Sequence, residues 1–318
     1  MEYYRPLPEP EGEPAAERYW LHILLLLATC FTTLVMGARM QFNFDHNHPA
    51  LSIADESIPY FPASWVYSHP DRLLAGWPFA ATVMLFFLTH EMGHYLYCRK
   101  YGIHATLPFF IPMPSPIGTM GAVILIRSRI RSRAALFDVG VAGPIAGFVV
   151  AFAMLVVSLG WAKPAVAAPI PGDLHVGFPL IFTGMHRILA GLGWAQRTAG
   201  LPLGRVLLHP TSIAAWVGMY ATALNLLPAG QLDGGHIVYA LAPRVHKVIS
   251  WITVLALIYL GLSNYGWWVW AGIVTAMNVF TLRHEQAPEF PSLPASRWVP
   301  ALFAAFMLVV TITASPFR

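Results

Sequence analysis

The sequence predicts an all-α polytopic membrane protein with about six to seven transmembrane helices and a short membrane-associated β-hairpin. Three observations carry this. Of 318 residues, 57% are hydrophobic and only 11% charged, against about 25% charged in soluble domains. The mean hydropathy is +0.58, which excludes intrinsic disorder, since disorder requires low hydrophobicity and high net charge. The chain also contains several long charge-free runs, and a helix needs about 20 apolar residues to cross the hydrocarbon.

The runs follow in order. Residues 19–38 form an uncharged 20-mer preceded by five acidic residues within the first 17 positions. With no positively charged n-region and no clean cleavage site, it reads as a retained span after a tail at 1–18. Residues 73–89 form the second run, continuing helically to about Cys98. The third covers 139–162, with Asp138 as its polar start, where negative charge suits the helix dipole. The fourth runs from 212 to 232. Residues 249–282 are uncharged over 34 positions, and Ser263-Asn264-Tyr265-Gly266 divides them into two short helices. Residues 298–317 form the last span.

Orientation follows from Lys and Arg. Arg99, Lys100, Arg127, Arg129, Arg131 and Arg133 lie between the second and third runs, which predicts that this loop is cytoplasmic. Alternation then places 12 basic residues inside and seven outside. The pI of 9.1 belongs to this asymmetry, so no nucleic-acid partner is expected; the partner is the lipid bilayer. Cys30 and Cys98 provide neither a disulfide framework nor a cysteine metal cluster.

Residues 104–126 are apolar yet carry four prolines and two glycines, which excludes a transmembrane helix. Residues 121–126 are β-branched and read as a strand. Such a hairpin must be shielded by protein or line a watery cavity. Residues 163–210 read as an outside loop with short surface helices.

The second run ends His90-Glu91-Met92-Gly93-His94. On a helix, positions i and i+4 lie on one face, so both imidazoles can meet one metal ion with Glu91 beside it. This is the spacing of zinc metalloproteases, with two His ligands and a Glu general base. The competing reading is a polar interfacial helix end followed by Arg99 and Lys100, but an ionisable cluster within a transmembrane helix is functional by default. A catalytic zinc takes three protein ligands and keeps one position open. Asp233, in Asn225-Leu226-Leu227-Pro228-Ala229-Gly230-Gln231-Leu232-Asp233-Gly234-Gly235-His236, is the only acidic residue between Asp173 and Glu285. It is expected on the same side of the membrane as His90 and His94. Asp233-Gly234-Gly235 also suits an ordinary turn; beside the His pair, the ligand reading is preferred. His236 reads as an interfacial histidine, and Gly143 and Gly147 as a helix-packing G-x-x-x-G facing the metal helix.

These motifs resemble the site-2 protease family of intramembrane zinc metalloproteases. The resemblance rests on His90-Glu91-Met92-Gly93-His94, on Asn225, Pro228, Asp233 and Gly234, and on Gly118-Thr119-Met120-Gly121. Phe137-Asp138-Val139-Gly140-Val141-Ala142-Gly143-Pro144 completes it. It implies a three-helix catalytic core within 73–240, flanked by the first span and outside loop (19–72) and by C-terminal spans (241–318). It further implies His90, His94 and Asp233 as ligands of one zinc per chain and Glu91 as catalytic base. Peptide-bond cleavage in or near transmembrane segments of membrane-protein substrates follows, as does a multi-pass location in a bacterial cytoplasmic membrane with the site towards the cytoplasm. Asn225 is implied near the substrate or oxyanion, or it caps broken backbone. Gly121 and its strand either take the substrate by edge pairing or plug the site. No PDZ- or CBS-type domain is expected in the 163–210 loop or after residue 298. The alternatives are a metal-ion transporter with His and Asp along its path, or a catalytically silent family member that binds membrane proteins. The residues do not indicate an oligomeric state.

Overall fold

The computed structural model describes residues 18–53, 57–130, 132–165, 174, 176–280 and 293–317. The expected tail up to residue 17, Arg131, the loop residues 166–173 and 175, and Arg283 lie outside the described residues.

Helix α1 (Tyr19–Asp45) runs past the charge-free 19–38 stretch. Arg39 does not end it, because the guanidinium is buried and donates to the carbonyls of Pro59 at 2.7 Å and Tyr60 at 3.3 Å. Two short helices, α2 (Ala63–Ser68) and α3 (Pro70–Ala75), sit in the following loop. Helix α4 (Trp77–Lys100) therefore starts after Gly76 rather than at Leu73, with Pro78 in its first turn, where its missing N–H costs nothing.

The hairpin forms as β1 (Phe109–Pro112) and β2 (Thr119–Val123), antiparallel, with Phe109 opposite Val123 and Ile111 opposite Gly121. The strand expected at 121–126 is thus displaced towards the turn. Beyond Val123 the backbone bonds elsewhere: the Ile124 N–H donates to Glu91 Oε2 at 3.0 Å, and the Leu125 N–H to Thr106 Oγ1 at 3.1 Å. Helix α1 shields the other side of the hairpin. His22 stacks on Phe109 at 3.9 Å between centroids, and Thr32 Oγ1 donates to the Gly118 carbonyl at 2.6 Å. These contacts meet the requirement that non-helical backbone at membrane depth be covered by protein.

Helix α5 (Arg133–Leu159) begins at its Ser132 N-cap. Asp138 is therefore inside the helix rather than at its start, and is held by Arg297 Nε and Nη2, each at 2.9 Å. A two-residue pairing of β3 (Lys163–Pro164) with β4 (Val206–Leu207) brackets α6 (Leu180–Gly191) in the expected surface loop. Helix α7 (Pro210–Asn225) stops seven residues short of Leu232, and Asp233 opens a new helix, α8 (Asp233–Leu241). Pro228 and the positive φ of Gly230, 56°, account for the break between them. Helices α9 (Pro243–Gly261) and α10 (Gly266–Phe280) meet at the turn read from the sequence. Helix α11 (Trp298–Thr311) ends before residue 317. The segment after it is tied to α10 and the turn before it: Ala314 accepts from Trp267 Nε1 at 2.7 Å and Phe317 from Asn264 Nδ2 at 2.6 Å.

Helices α4, α5 and α7 pack together at the centre, with Phe79, Val83, Phe86, Phe148, Leu155 and Met219 in the shared core. Among the described residues, three helices are long and apolar enough to cross a membrane: α1, α5 and α9. The chain is thus a helical membrane protein.

Candidate metal centre

The centre is assembled from α4, α5, α7 and the start of α8. His90 and His94, one turn apart on α4, are 2% and 7% exposed. Their Nε2 atoms lie 3.2 Å apart, and each is 3.4 Å from Asp233 Oδ2. One ligand atom from each of the three residues lies within 4.8 Å of the others. Asp233 reaches this point because the α7–α8 connection folds back tightly. A Cβ on Gly235 would come within 2.5 Å of the Gly230 carbonyl oxygen, and one on Gly234 would overlap that of Leu226. The two glycines thus serve close approach at a helix start, not a free turn. On the α5 side, Gly140 leaves room for Asp233, whose carbonyl oxygen would be 3.3 Å from a Cβ there.

The donor set fits a divalent metal. His94 Nδ1 lies 2.8 Å from the Val139 carbonyl, which can only accept, so Nδ1 carries the hydrogen and Nε2 keeps its lone pair. That lone pair faces the His90 ring and a carboxylate oxygen in a buried pocket. With His94 neutral, two imidazole nitrogens and one carboxylate oxygen converge on one point, an arrangement that a shared cation satisfies. This N,N,O set is one that zinc takes. Gly143 and Gly147 bring α5 against this arrangement. A Cβ on Gly147 would lie 3.1 Å from His90 Nδ1, and one on Gly143 would overlap the His94 ring.

Glu91 is 7% exposed, and its Oε2 accepts the Ile124 N–H. Asn225, the last residue of α7, places Nδ2 3.2 Å from His90 Nε2, so the structure brings it to the cluster. Gly121 is not brought there by any hydrogen bond to these residues. It has φ of 108° and packs on Phe87, 3.2 Å from the position of a Cβ to Cε1; Ile124, three residues later, makes the contact with Glu91. His236 lies on α8 with its Cβ beside Gly140. Sequence reading missed the two backbone groups, Val139 C=O and Ile124 N–H, which have no residue-type signature. The available signal was position: Val139 falls in the motif around Asp138, and Ile124 in the stretch read as a strand.

Comparison with known proteins shows the family. The family model of peptidase family M50 matches residues 78–262, more than half of the chain. Among similar curated proteins is the probable zinc metalloprotease EGY1, chloroplastic, of Arabidopsis thaliana, 29% identical over 325 residues, covering 96% of this chain and 55% of that protein. The protein of the same name from Oryza sativa subsp. japonica is 27% identical over 327 residues, covering 98% and 52%. The probable zinc metalloprotease EGY2, chloroplastic, of Oryza sativa subsp. indica is 34% identical over 178 residues, covering 55% and 30%. The chain spans about half the length of the first two relatives. All three are named as chloroplastic proteins of plants, so they give no support to the expected bacterial cytoplasmic membrane.

Proposed function

The chain belongs to peptidase family M50, the site-2 protease family, and from that premise we propose that it is an intramembrane zinc metalloprotease. It hydrolyses peptide bonds within or near transmembrane segments of membrane-protein substrates. The observation that carries this reading is the convergence of buried His90 and His94 with half-buried Asp233, and buried Glu91 alongside.

His90 Nε2, His94 Nε2 and an Asp233 carboxylate oxygen would hold one zinc per chain. When bound, zinc polarises a scissile carbonyl and lowers the pKa of a water towards about 7. Glu91 is the general base. The Ile124 N–H engages Oε2, leaving Oε1 to take the proton from water and return it to the leaving nitrogen. Val139 fixes the His94 ring through Nδ1. Asn225, beside His90, donates from Nδ2 to the oxyanion that develops on the substrate carbonyl. The substrate must unwind before attack. Strand β2 is an edge strand continuous with Ile124, so an extended segment paired along β2, Gly121 included, would run beside Glu91.

Several finer features belong to the same proposal. The chain crosses the membrane six to seven times, with the loop containing Arg99, Lys100, Arg127 and Arg133 on the cytoplasmic side and the metal centre near that side. The catalytic core is 73–240, with 1–18 a cytoplasmic tail and 19–72 and 241–318 flanking membrane segments. The alternative of a transporter gains nothing from a carboxylate fixed at the Glu91 position. The experiment is zinc analysis combined with cleavage of a transmembrane substrate by the purified protein in detergent. Stoichiometric zinc and chelator-sensitive cleavage are expected; zinc retained in full by a His90→Ala/His94→Ala protein would place the metal elsewhere.

A further inference from the structure

Outside the metal centre, a buried polar pair links the C-terminal helices α9 and α10. Ser250 on α9 and Asn278 on α10 are each 1% exposed. Ser250 Oγ donates to Asn278 Oδ1 at 2.6 Å and accepts the Gly230 N–H at 3.0 Å. A serine–asparagine bond between two membrane helices is common as helix glue. The third member of the chain is different: Gly230 lies in the unwound connection between Asn225 and Asp233, three residues before the proposed metal ligand.

That connection is packed into the core through Leu226, Leu227 and Ala229. Its own bonds are short-range, Ala229 N–H to the Leu227 carbonyl at 2.8 Å and Leu232 N–H to the Ala229 carbonyl at 3.3 Å. Gly230 sits at φ 56°, and a Cβ there would come within 3.0 Å of Met277 Cβ. The turn is therefore pressed directly onto α10 next to Asn278. An unbonded N–H at this buried point carries a desolvation penalty, so the Ser250 hydroxyl favours the loop conformation that satisfies it. The same conformation puts the Gly230 carbonyl over Gly235 and starts α8 at Asp233.

From this we infer that Ser250 and Asn278 are positioning residues for the metal centre: the relay Asn278–Ser250–Gly230 fixes the loop that delivers Asp233, making α9 and α10 part of the metal-holding unit. The inference rests on the assignment of Asp233 as a ligand.

The test uses the full chain in detergent, loaded with zinc or cobalt. Metal retention against a chelator, the visible spectrum of the cobalt form and the thermal midpoint of the metal-free protein are read together. Partners of metal ligands typically contribute about 10–100-fold in metal affinity. Ser250→Ala is expected to lose about tenfold in retention, at the low end of that range, and to shift the cobalt bands. Ser250→Thr, which keeps a hydroxyl, should recover both. Asn278→Leu keeps the Ser250–Gly230 bond but removes the acceptor that orients the hydroxyl; a smaller loss in the same direction is expected. Thr275→Ala removes a hydroxyl that bonds only within α10, to the Ala271 carbonyl at 2.7 Å, and should change nothing. If Ser250→Ala and Asn278→Leu lower the metal-free midpoint equally while retention and spectrum stay as in the wild type, the pair is only glue and the inference is overturned. If Ser250→Ala does not fold, Asn278→Leu decides by the same readouts. A wild-type protein that binds no metal overturns both this inference and the proposed function. A wild-type protein that binds metal through His90 and His94, with Ser250→Ala unaffected, overturns the inference alone.

Discussion

Gly143→Ala probes the contact between α5 and the metal ligands most sharply. A Cβ at this position would lie 2.5 Å from both His94 Cδ2 and Cε1 and overlap Nε2. Ordinary carbon contacts are about 3.5–4.0 Å, so the ring must retreat by about 1 Å. Separating the helices instead is opposed by the backbone contact at Gly93, where a Cβ would be only 2.7 Å from the Ala142 carbonyl oxygen. Moving the ring breaks its 2.8 Å bond to Val139 and pulls Nε2 away from Asp233. Overpacking costs about 1–3 kcal/mol, whereas Gly→Ala inside a helix returns up to about 1 kcal/mol. The thermal midpoint should therefore fall only slightly. A misplacement of about 1 Å costs about 10²-fold in rate, so activity and metal retention should collapse by far more than stability. The assay is zinc content after dialysis against a chelator, with cleavage of a transmembrane peptide and a melting curve on the same sample. Gly191→Ala on α6, where a Cβ meets nothing within 4 Å, is the control. Wild-type zinc and rate in Gly143→Ala would refute the packing argument.

Two further expectations concern regions away from the metal. Asp138→Asn removes the charge that Arg297 grips with two 2.9 Å bonds; for a partly exposed pair the loss is about 1–3 kcal/mol, seen as a midpoint lower by several degrees with zinc content unchanged. His209 caps α7, accepting the Thr211 N–H at 3.2 Å, and burial pushes it down from 6.5 to about 4, Asp45 opposing the shift and Lys163 adding to it. The unfolded chain then holds more protons than the folded one between about pH 4 and 6.5, so stability rises with pH across that window and is lost as pH falls through it. His209→Asn, which retains a capping oxygen, should flatten that slope in melting curves taken from pH 4 to 7; an unchanged slope would assign it to another group.

The centre was legible because its ligands are side chains with a fixed helical spacing. His90 and His94 share a helix face by arithmetic, and Asp233 stood out as an isolated acid in a long neutral stretch. The fold was legible where apolar runs are long. It was less so where a charge is buried, as at Arg39 inside α1, or where a helix stops within an apolar run, as α7 does at Asn225. The strand bounds moved from 121–126 because Ile124 gives its N–H to Glu91, a tertiary bond that strand propensity cannot reveal. Ser250 and Asn278 carried no signal for a related reason. Single polar residues in apolar helices usually bond to a neighbouring helix, and only the folded loop shows that Ser250 also reaches Gly230.

The central claim is that Glu91 moves a proton in peptide hydrolysis and does not hold the metal. Glu91→Gln preserves size and removes the base, and general acid–base groups contribute about 10²–10⁴-fold in rate. Zinc content and single-turnover cleavage of a transmembrane substrate, measured on one preparation, test this directly. The account predicts full zinc and substrate binding with cleavage slowed at least about 10²-fold. Cleavage at the wild-type rate would remove Glu91 from the mechanism, and loss of zinc as complete as in His90→Ala would make it a ligand in place of Asp233.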